Sequence, residues 1–419
     1  MRSEIVLITR VRTSNQGNQA LSRAWANELR RAFPGQPLRL LERCPKYLTQ
    51  FSLAHLERSG DPVARFEAIA QRLCSLAPTG DCAGPTGEQE VVLDLMRRPP
   101  RYFADFRARF RLRRLLIWLG FETAGYGKRL AAFRRAALVV FNPAGEFFVG
   151  ARDVALLHLL DIRVAQLLGA RVAVVNLSLE ATDPTLDRIV PYVFDKCDLI
   201  SFRDDESPAR YLAMGGRRTV LTVPDLAIVT HCPPQSPASR RAAPHVGIAI
   251  HTDHARLRNQ SESWVNVLFR LKENGILPTL ISNDWSTDEP FYAHLMGRTG
   301  VGVDGIGLDA SDYVEFLGNF DAIITSRMHT AVLSVVAGTP FVAIEPGGFK
   351  MAGVLSKLGI LEPPLSTDAP QWVDRLVPLV MQSLQMRAQI AESLKQKCAE
   401  ARREIDAVLP PALKALTAI

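Results

Sequence analysis

Long apolar runs are missing from this sequence. No stretch of about twenty uncharged apolar residues occurs in its 419 residues, although a membrane-spanning helix needs such a stretch. The N-terminus also lacks the features of a secretory signal, because the apolar run at residues 5–8 is short and Arg10 and Arg12 follow at once. We therefore expect a cytoplasmic protein whose membrane contact, if it has any, is peripheral.

Cysteine is scarce, and its spacing is irregular. The six cysteines include no CxxC pair, so the sequence predicts neither a zinc site nor a disulfide framework. Potential metal ligands do occur together in His251-Thr252-Asp253-His254. This stretch lacks the helical context of an HExxH motif and a recognisable third ligand. We predict a substrate-facing polar loop there and no metal.

Nucleotide-binding and nucleic-acid-binding motifs are absent as well. The chain has no GxGxxG fingerprint, so a dinucleotide cofactor is not predicted. It has no helix-turn-helix, zinc-finger or RNP pattern, so nucleic acid is not expected as a partner. The net charge is nevertheless +7. This excess favours another anionic partner, either a phosphorylated substrate or an anionic lipid surface.

The residues that are present indicate a packed α/β protein of two domains. Hydrophobic residues make up 47% of the chain, and its length suits two domains of ordinary size. Strands alternate with helices in both halves, which predicts two Rossmann-like, doubly wound domains facing a cleft. We place the first domain at 1–235, with a basic insertion at about 44–135. The second domain is placed at 244–385 and a helical segment at 386–419.

One stretch, residues 320–344, combines a βαβ pattern with chemically capable side chains. A buried strand ends at Ser326, Arg327 and His329, an apolar helix follows, Gly338 ends the helix, and a second strand begins. In open α/β sheets, ligands bind at the carboxyl ends of the strands. Arg327 offers a planar set of donors for a carboxylate or phosphate, and His329 can exchange a proton near neutral pH. The pattern predicts a site for an anionic substrate that needs acid–base catalysis. The alternative is a surface arginine and a helix-capping histidine.

The same residues resemble a known family. Ser-Arg-Met-His-Thr-Ala at 326–331, followed by Ala-Gly-Thr-Pro-Phe-Val-Ala-Ile at 337–344, resembles the C-terminal signature of the polysaccharide pyruvyl transferase family. Asn-x-Gly-Asn at 15–18 and Ser-x-Arg-Asp-x-x-Ser at 201–207 are similar to two further motifs of that family. The family often has Asp at the position of Asn18, so the hydrogen-bonding shape is kept here without the charge.

The resemblance implies roles for individual residues. It implies that Arg327 and Arg203 hold phosphoenolpyruvate and that His329 takes part in proton transfer. Lys350 follows a glycine loop at a point where the family tends to have a lysine, so it is a candidate for contacting phosphate or carboxylate. The alternatives are an exposed ion pair of Arg203 with a neighbouring carboxylate and a solvated Lys350.

The remaining candidates are polar residues near strand ends. Asp225 matches an Asp-containing link of the family and could orient a catalytic group or accept a sugar hydroxyl. Asn15, Gly17 and Asn18 are candidate substrate-binding residues, and Glu146 could bind sugar hydroxyls. The alternatives are a turn role for Asp225, an ordinary βα turn in which Asn18 caps the helix, and a helix-start carboxylate for Glu146.

The implied activity is the transfer of pyruvate from phosphoenolpyruvate to two hydroxyls of one sugar, which gives a cyclic ketal. The acceptor would be a bacterial cell-surface polysaccharide or its lipid-linked precursor, the fold would be GT-B-like, and no cofactor would be needed. One alternative is a GT-B glycosyltransferase that uses a nucleotide sugar, since fold does not determine chemistry. Another is a non-enzymatic scaffold of a membrane-associated glycan assembly.

A basic, aromatic-rich segment at residues 97–114 bears on the membrane question. It contains eight arginines interleaved with aromatic residues. Such a composition is typical of a segment that binds anionic lipid headgroups at the inner leaflet. The alternative is a solvated basic helix. The sequence leaves both interpretations open, together with the oligomeric state.

Overall fold

The computed structural model of the chain describes residues 2–10, 13–43, 61–75, 77, 124–143, 147, 152–180, 183–232, 242–369 and 371–416. The basic segment 97–114 and Glu146 lie outside the described residues. The chain divides into two compact units. The first unit comprises residues 1–12, 25–223 and 407–419, and the second comprises 13–24 and 224–406. Residues 13–24 thus belong to the second unit, although the sequence assigned them to the N-terminal domain.

The first unit is built on a parallel sheet. Its four inner strands are almost continuously apolar and buried on both faces, as a parallel sheet requires. The strand order is β2-β1-β3-β4-β5-β6. The pairing of β4 with β5 shifts register near Asn176, whose φ of 55° lies in the left-handed region. The strands are β1 (Glu4–Thr9), β2 (Leu38–Glu42), β3 (Ala136–Phe141), β4 (Arg171–Leu177), β5 (Leu199–Phe202) and β6 (Leu221–Thr222).

Within the described ranges, six helices connect these strands. The helix α5 shows why they begin where they do: the Asp183 side chain accepts hydrogen bonds from the backbone amides of Thr185 and Leu186, and Pro184 occupies the first helical position. The helix α4 packs against α2 and α5. The helices are α1 (Gln16–Ala32), α2 (Pro62–Ser75), α3 (Ala124–Arg135), α4 (Arg152–Leu167), α5 (Pro184–Phe194) and α6 (Glu206–Ala213).

The second unit contains another six-stranded parallel sheet, in the order β12-β11-β10-β7-β8-β9. Counted from β7, this is the strand order of dinucleotide-binding Rossmann folds, in which the connections reverse direction between the first and fourth strands. Ligands of such sheets bind at the carboxyl ends of those two strands. Here they are β7 and β10. The strands are β7 (His245–Ala249), β8 (Leu277–Ile281), β9 (Val303–Asp304), β10 (Ala322–Thr325), β11 (Phe341–Glu345) and β12 (Leu365–Ser366).

The helices of the second unit include the one predicted from residues 320–344. The βαβ prediction is confirmed: β10 leads into α11, Gly338 ends α11 with a φ of 67°, and β11 follows. No helix in the described ranges is both long and apolar enough to span a membrane. The helices are α7 (Ala255–Arg258), α8 (Ser261–Glu273), α9 (Trp285–Thr299), α10 (Ala310–Gly318), α11 (Met328–Ala337), α12 (Lys350–Lys357), α13 (Trp372–Gln385) and α14 (Arg387–Ala415), with a 3-10 turn at Leu226–Val229.

Candidate functional site

Arg327 lies at the point where β7 and β10 end side by side. Its backbone is extended, and its amide donates to the Thr325 hydroxyl at 2.9 Å, which turns the chain into α11. The guanidinium reaches the end of β7, where Nε donates to the Ile250 carbonyl at 3.0 Å and Nη2 donates to the Thr252 hydroxyl at 3.3 Å. The side chain is only 6% exposed. The alternative of a surface arginine is therefore wrong.

A buried carboxylate accompanies this arginine. Asp288, in the first turn of α9, forms an ion pair with Nη2 of Arg327 and is fully buried. Burial is the largest single effect and would lower the pKa of Arg327, but the negative charge of Asp288 together with the other acidic groups around the guanidinium outweighs it, and the pKa is raised. No described residue accepts a hydrogen bond from Nη1. Arg327 thus stays charged and fixed in place, with one nitrogen left for a ligand.

Sequence reasoning did not identify Asp288. A usable signal was present, because Ser282-Asn283-Asp284 is a polar run directly after β8, the strand that pairs with β7. Polar residues that follow β8 are therefore candidate site residues in the same way as those that follow β7 and β10, the strands between which the connections reverse direction.

His329, the second residue of α11, lies beside a second buried carboxylate. Its Nε2 is 3.7 Å from Oδ2 of Asp225, and the two side chains are 14% and 0% exposed. This distance exceeds that of a hydrogen bond but allows the carboxylate to stabilise a positive charge on the ring. The other oxygen of Asp225 accepts from the Ala227 amide at 2.9 Å. Asp225 therefore has the predicted turn role and also faces His329.

The Asn-x-Gly-Asn motif packs against the same histidine. Asn15 caps α1, because its Oδ1 accepts from the Asn18 amide at 3.0 Å. The alternative in which Asn18 caps the helix is wrong, since α1 begins earlier, at Gln16. A Cβ on Gly17 would lie 2.2 Å from the Cβ of His329. Only glycine permits this approach of α1 to α11.

A third titratable group adjoins Arg327. His251 follows the end of β7, and its amide donates to the Ser326 hydroxyl at 2.8 Å. Burial and the positive charges of Arg327 and Lys350 lower the pKa of His251 well below its ordinary value. Lys350, half-buried at the start of α12, thus lies close enough to act on the same ring. Arg327 and Lys350 thus place two cationic side chains at this edge of the second sheet, and both can donate charge-assisted hydrogen bonds to an anion.

Metal ligation receives no support within the described ranges. There, no three or more His, Cys, Asp and Glu side chains are grouped so that they could hold a metal ion. The polar stretch 251–254 lies instead beside Arg327, whose guanidinium donates to the Thr252 hydroxyl.

Arg203 belongs to the first unit and is fully buried at the end of β5. Its amide donates to the Leu177 carbonyl at 3.2 Å and its Nε donates to the Ser178 hydroxyl at 2.9 Å. The alternative of an exposed ion pair is wrong, because Asp204 is buried too and its Oδ1 accepts from the Ser207 amide at 2.8 Å. The arginine, aspartate and serine of the motif together shape the entry into α6.

Most predicted site residues thus belong to one unit. Arg203 lies in the first unit, and Glu146 lies outside the described residues. The second unit contains Asn15, Gly17, Asn18, Asp225, Arg327, His329 and Lys350.

The sequence also matches a protein family. The model of the polysaccharide pyruvyl transferase family matches residues 15–348. The chain belongs to this family. The match includes both buried carboxylates of the site, Asp225 and Asp288, and ends two residues before Lys350. A search of curated proteins finds no significant match.

Solved structures resemble the chain in fold. One is a trehalose-6-phosphate synthase, OtsA, with a TM-score of 0.54 and 12% identity, over 100% of this chain and 99% of that one. Another is a glycosyltransferase from Rickettsia africae, with a TM-score of 0.52 and 9% identity, over 100% and 99% of the two chains. Such low identities show the fold alone. The predicted fold class, α/β with two Rossmann-like domains of the GT-B type, is confirmed.

Proposed function

We propose that the protein transfers pyruvate from phosphoenolpyruvate to a sugar of a bacterial cell-surface polysaccharide or its lipid-linked precursor, forming a cyclic ketal. One observation carries this proposal. In a chain of the pyruvyl transferase family, a single strand end places the Arg327 guanidinium and the His329 imidazole two residues apart at the ligand-binding edge of a Rossmann-like sheet.

The donor fits the charges at this edge. Phosphoenolpyruvate carries a phosphate and a carboxylate, and both accept charge-assisted hydrogen bonds. Nη1 of Arg327 and the ammonium of Lys350 would bind one or both of these groups. Arg203 of the first unit is the further candidate for this role. Its participation remains a prediction from the family motif.

The reaction removes two protons, one from each sugar hydroxyl, and delivers two, one to the methylene carbon and one to the departing phosphate. The methylene carbon of phosphoenolpyruvate takes a proton and becomes a methyl group, so the neighbouring carbon becomes electrophilic. One sugar hydroxyl attacks that carbon and loses its proton. The bond to the phosphate oxygen then breaks and phosphate leaves. The second hydroxyl attacks the same carbon, loses its proton and closes the ketal ring. The net products are the ketal and hydrogen phosphate.

His329 is the candidate for these proton transfers. When its ring takes a proton, Asp225 at 3.7 Å stabilises the positive charge without being consumed. The amide of Ala227 holds this carboxylate in place, and Gly17 confines the ring from the other side. The ring is therefore held while its protonation changes, as a general acid–base group requires.

The test is incubation with phosphoenolpyruvate and candidate lipid-linked sugars, with phosphate release and ketal formation as readouts. His329→Ala and His329→Gln should both lower turnover by about 10²–10⁴-fold. Phosphoenolpyruvate should still bind to both variants, because the cationic groups remain. Gln keeps a hydrogen bond but cannot carry the proton. Near-normal turnover of the Gln variant would remove His329 from the mechanism.

His245 offers a matched control. It is a buried histidine of β7 whose Nε2 shares a hydrogen bond of 2.8 Å with the Thr279 hydroxyl. His245→Gln should lower the melting temperature and leave turnover nearly unchanged. A parallel incubation with nucleotide sugars tests glycosyl transfer: release of a nucleoside diphosphate, with no use of phosphoenolpyruvate, would overturn the proposal.

A further inference from the structure

The carboxylate of Asp288 has an unusual number of donors for a side chain that no motif identified. Its Oδ1 accepts from Thr252 Oγ1 at 2.6 Å and from the Arg327 guanidinium. Its Oδ2 accepts from Ser282 Oγ at 3.3 Å and from the backbone amides of Asn283 and Asp284 at 3.2 and 3.1 Å. The donors come from the segments that follow β7, β8 and β10. One buried group therefore ties three strand ends together.

The first consequence concerns the guanidinium. Nη2 donates to the Asp288 carboxylate and to the Thr252 hydroxyl, and Nε donates to the Ile250 carbonyl. This leaves Nη1 as the nitrogen for a ligand, in a fixed direction. Because Asp288 balances the charge of Arg327, the arginine contributes a directed hydrogen bond more than net charge.

The second consequence concerns the opposite side of the site. Residues 283 and 284, which the carboxylate holds by their amides, bind the segment before α1. Asn15 Nδ2 donates to Asn283 Oδ1 at 2.9 Å, and Ser14 Oγ donates to Asp284 Oδ1 at 2.5 Å. That segment leads directly into Gly17, which packs against His329. The Asp288 carboxylate therefore affects the positions of both proposed functional side chains, Arg327 and His329.

From these contacts we infer that Asp288 is the positioning residue of the site. It sets the direction of Arg327 and, through residues 283–284, holds the turn that confines His329. Its part in catalysis rests on the proposed function. Its effect on Arg327 does not, because that effect exists in the ligand-free protein.

The principal test is Asp288→Asn, which keeps the shape of the side chain and replaces an acceptor with a donor. The Asp161→Asn variant is a matched control, because Asp161 forms a fully buried pair with Arg129 in the first unit. Both variants should lower the melting temperature. Only Asp288→Asn should raise the dissociation constant for phosphoenolpyruvate, by at least about tenfold.

A double-mutant cycle separates positioning from general damage. In an Arg327→Gln background, Asp288→Asn should change the dissociation constant by less than about twofold, since its effect on binding acts through the arginine. If Asp288→Asn raised the dissociation constant in that background as much as it does in the unmodified protein, Asp288 would act on binding by another route, and the inference would fail.

Hydrogen exchange of the Arg327 Nε–H in the ligand-free protein completes the test. Its NMR signal is assigned by its absence from Arg327→Gln, and it should exchange at least about tenfold faster in Asp288→Asn. If Asp288→Asn fails to fold, Ser282→Ala, which removes one donor to Asp288 and leaves the hydrogen bonds of Arg327 in place, should accelerate exchange more mildly. Unchanged exchange overturns the inference. If the unmodified protein does not bind phosphoenolpyruvate, the proposed function fails. Hydrogen exchange of the Arg327 Nε–H then decides by itself whether Asp288 positions Arg327.

Discussion

At the scale of single residues, the positions of the site side chains are restricted by the residues packed around them. His329 is confined by the absence of a side chain at Gly17 and by the fixed carboxylate of Asp225. Arg327 is confined by Asp288. Functional groups held in this way need little reorganisation when a substrate binds, which favours catalysis.

Gly17→Ala tests the first of these constraints. The added Cβ would meet His329 Cβ at 2.2 Å, so the ring or α1 must shift. Displacement of His329 should impair its proposed acid–base role, so turnover should fall at least about tenfold. Gly297→Ala is the control, because this helical glycine of α9 has open space around it and alanine favours helices by about 1 kcal/mol. Equal turnover in the two variants would contradict a tight contact at Gly17.

His251 makes stability depend on pH. Its pKa is depressed in the folded protein, because burial and the charges of Arg327 and Lys350 disfavour the imidazolium; His254 contributes in the same direction. Below about pH 6.5 the unfolded chain binds a proton at this position that the folded chain does not. Stability should therefore fall as the pH falls from about 6.5 toward the folded pKa.

The measurement is the melting temperature of the unmodified protein and of His251→Gln between about pH 7 and pH 5. As the pH falls, the melting temperature of the unmodified protein should drop more than that of His251→Gln. Added inorganic phosphate should reduce this drop, because a bound anion favours the imidazolium form of His251. Parallel curves for the two proteins would show that His251 does not titrate in this way.

At the scale of elements, the start of α1 joins helix capping to the site. Asn15 caps the helix through its Oδ1 and donates to Asn283 through its Nδ2. Gly17, two residues further on, packs against α11. The N-terminal half of α1, up to Ala24, belongs to the second unit and the remainder to the first, and the contacts with the site come from the beginning of that N-terminal half.

Asn15→Ala should lower both stability and turnover. Loss of a cap costs about 0.5–2 kcal/mol, and the freed turn no longer holds Gly17 against His329. Asp183→Ala removes an equivalent cap from α5 in the first unit. It should lower the melting temperature and leave turnover nearly unchanged. Thermal melts and phosphate-release assays on both variants make the comparison, and a loss of turnover in both would mean that capping has no specific link to the site.

At the scale of the whole molecule, each unit has its own hydrophobic core. One core surrounds the first sheet and includes Val139 and Phe194, and the other surrounds the second sheet and includes Trp264 and Trp372. Two separate cores mean that unfolding need not be a single two-state transition. Variants of one unit should therefore be compared with matched variants of the other, as Asp288 is with Asp161.

The basic segment 97–114, outside the described residues, is the remaining feature at this scale. Its eight arginines should cause the protein to sediment with anionic vesicles at low salt, since each basic residue near an anionic surface contributes about 1 kcal/mol. Replacing the arginines with glutamate should abolish sedimentation and leave turnover of a soluble acceptor intact. Neutral vesicles and high salt serve as controls. The prediction fails if the unmodified protein stays in the supernatant at low salt.

Local patterns in the sequence were sufficient for the elements and for the positions of several site residues. The apolar run before Ser326, the helix that follows it and Gly338 after that helix predict the βαβ unit, because burial and helix termination act over neighbouring residues. The Asn-x-Gly-Asn motif likewise marked a turn next to a helix. It did not show which asparagine caps α1, since capping depends on where the helix begins.

The partners of the site residues were decided by the tertiary structure alone. Asp288 lies 39 residues before Arg327, and Asn15 lies 268 residues before Asn283. No spacing rule joins such pairs, because they meet only when the sheet places the ends of β7, β8 and β10 side by side. Strand order in a parallel sheet depends on how crossover helices pack, which is a property of the whole unit. The sequence alone therefore located Arg327, His329 and Asp225, while the tertiary structure showed that Asp225 faces His329 and that Asp288 holds Arg327.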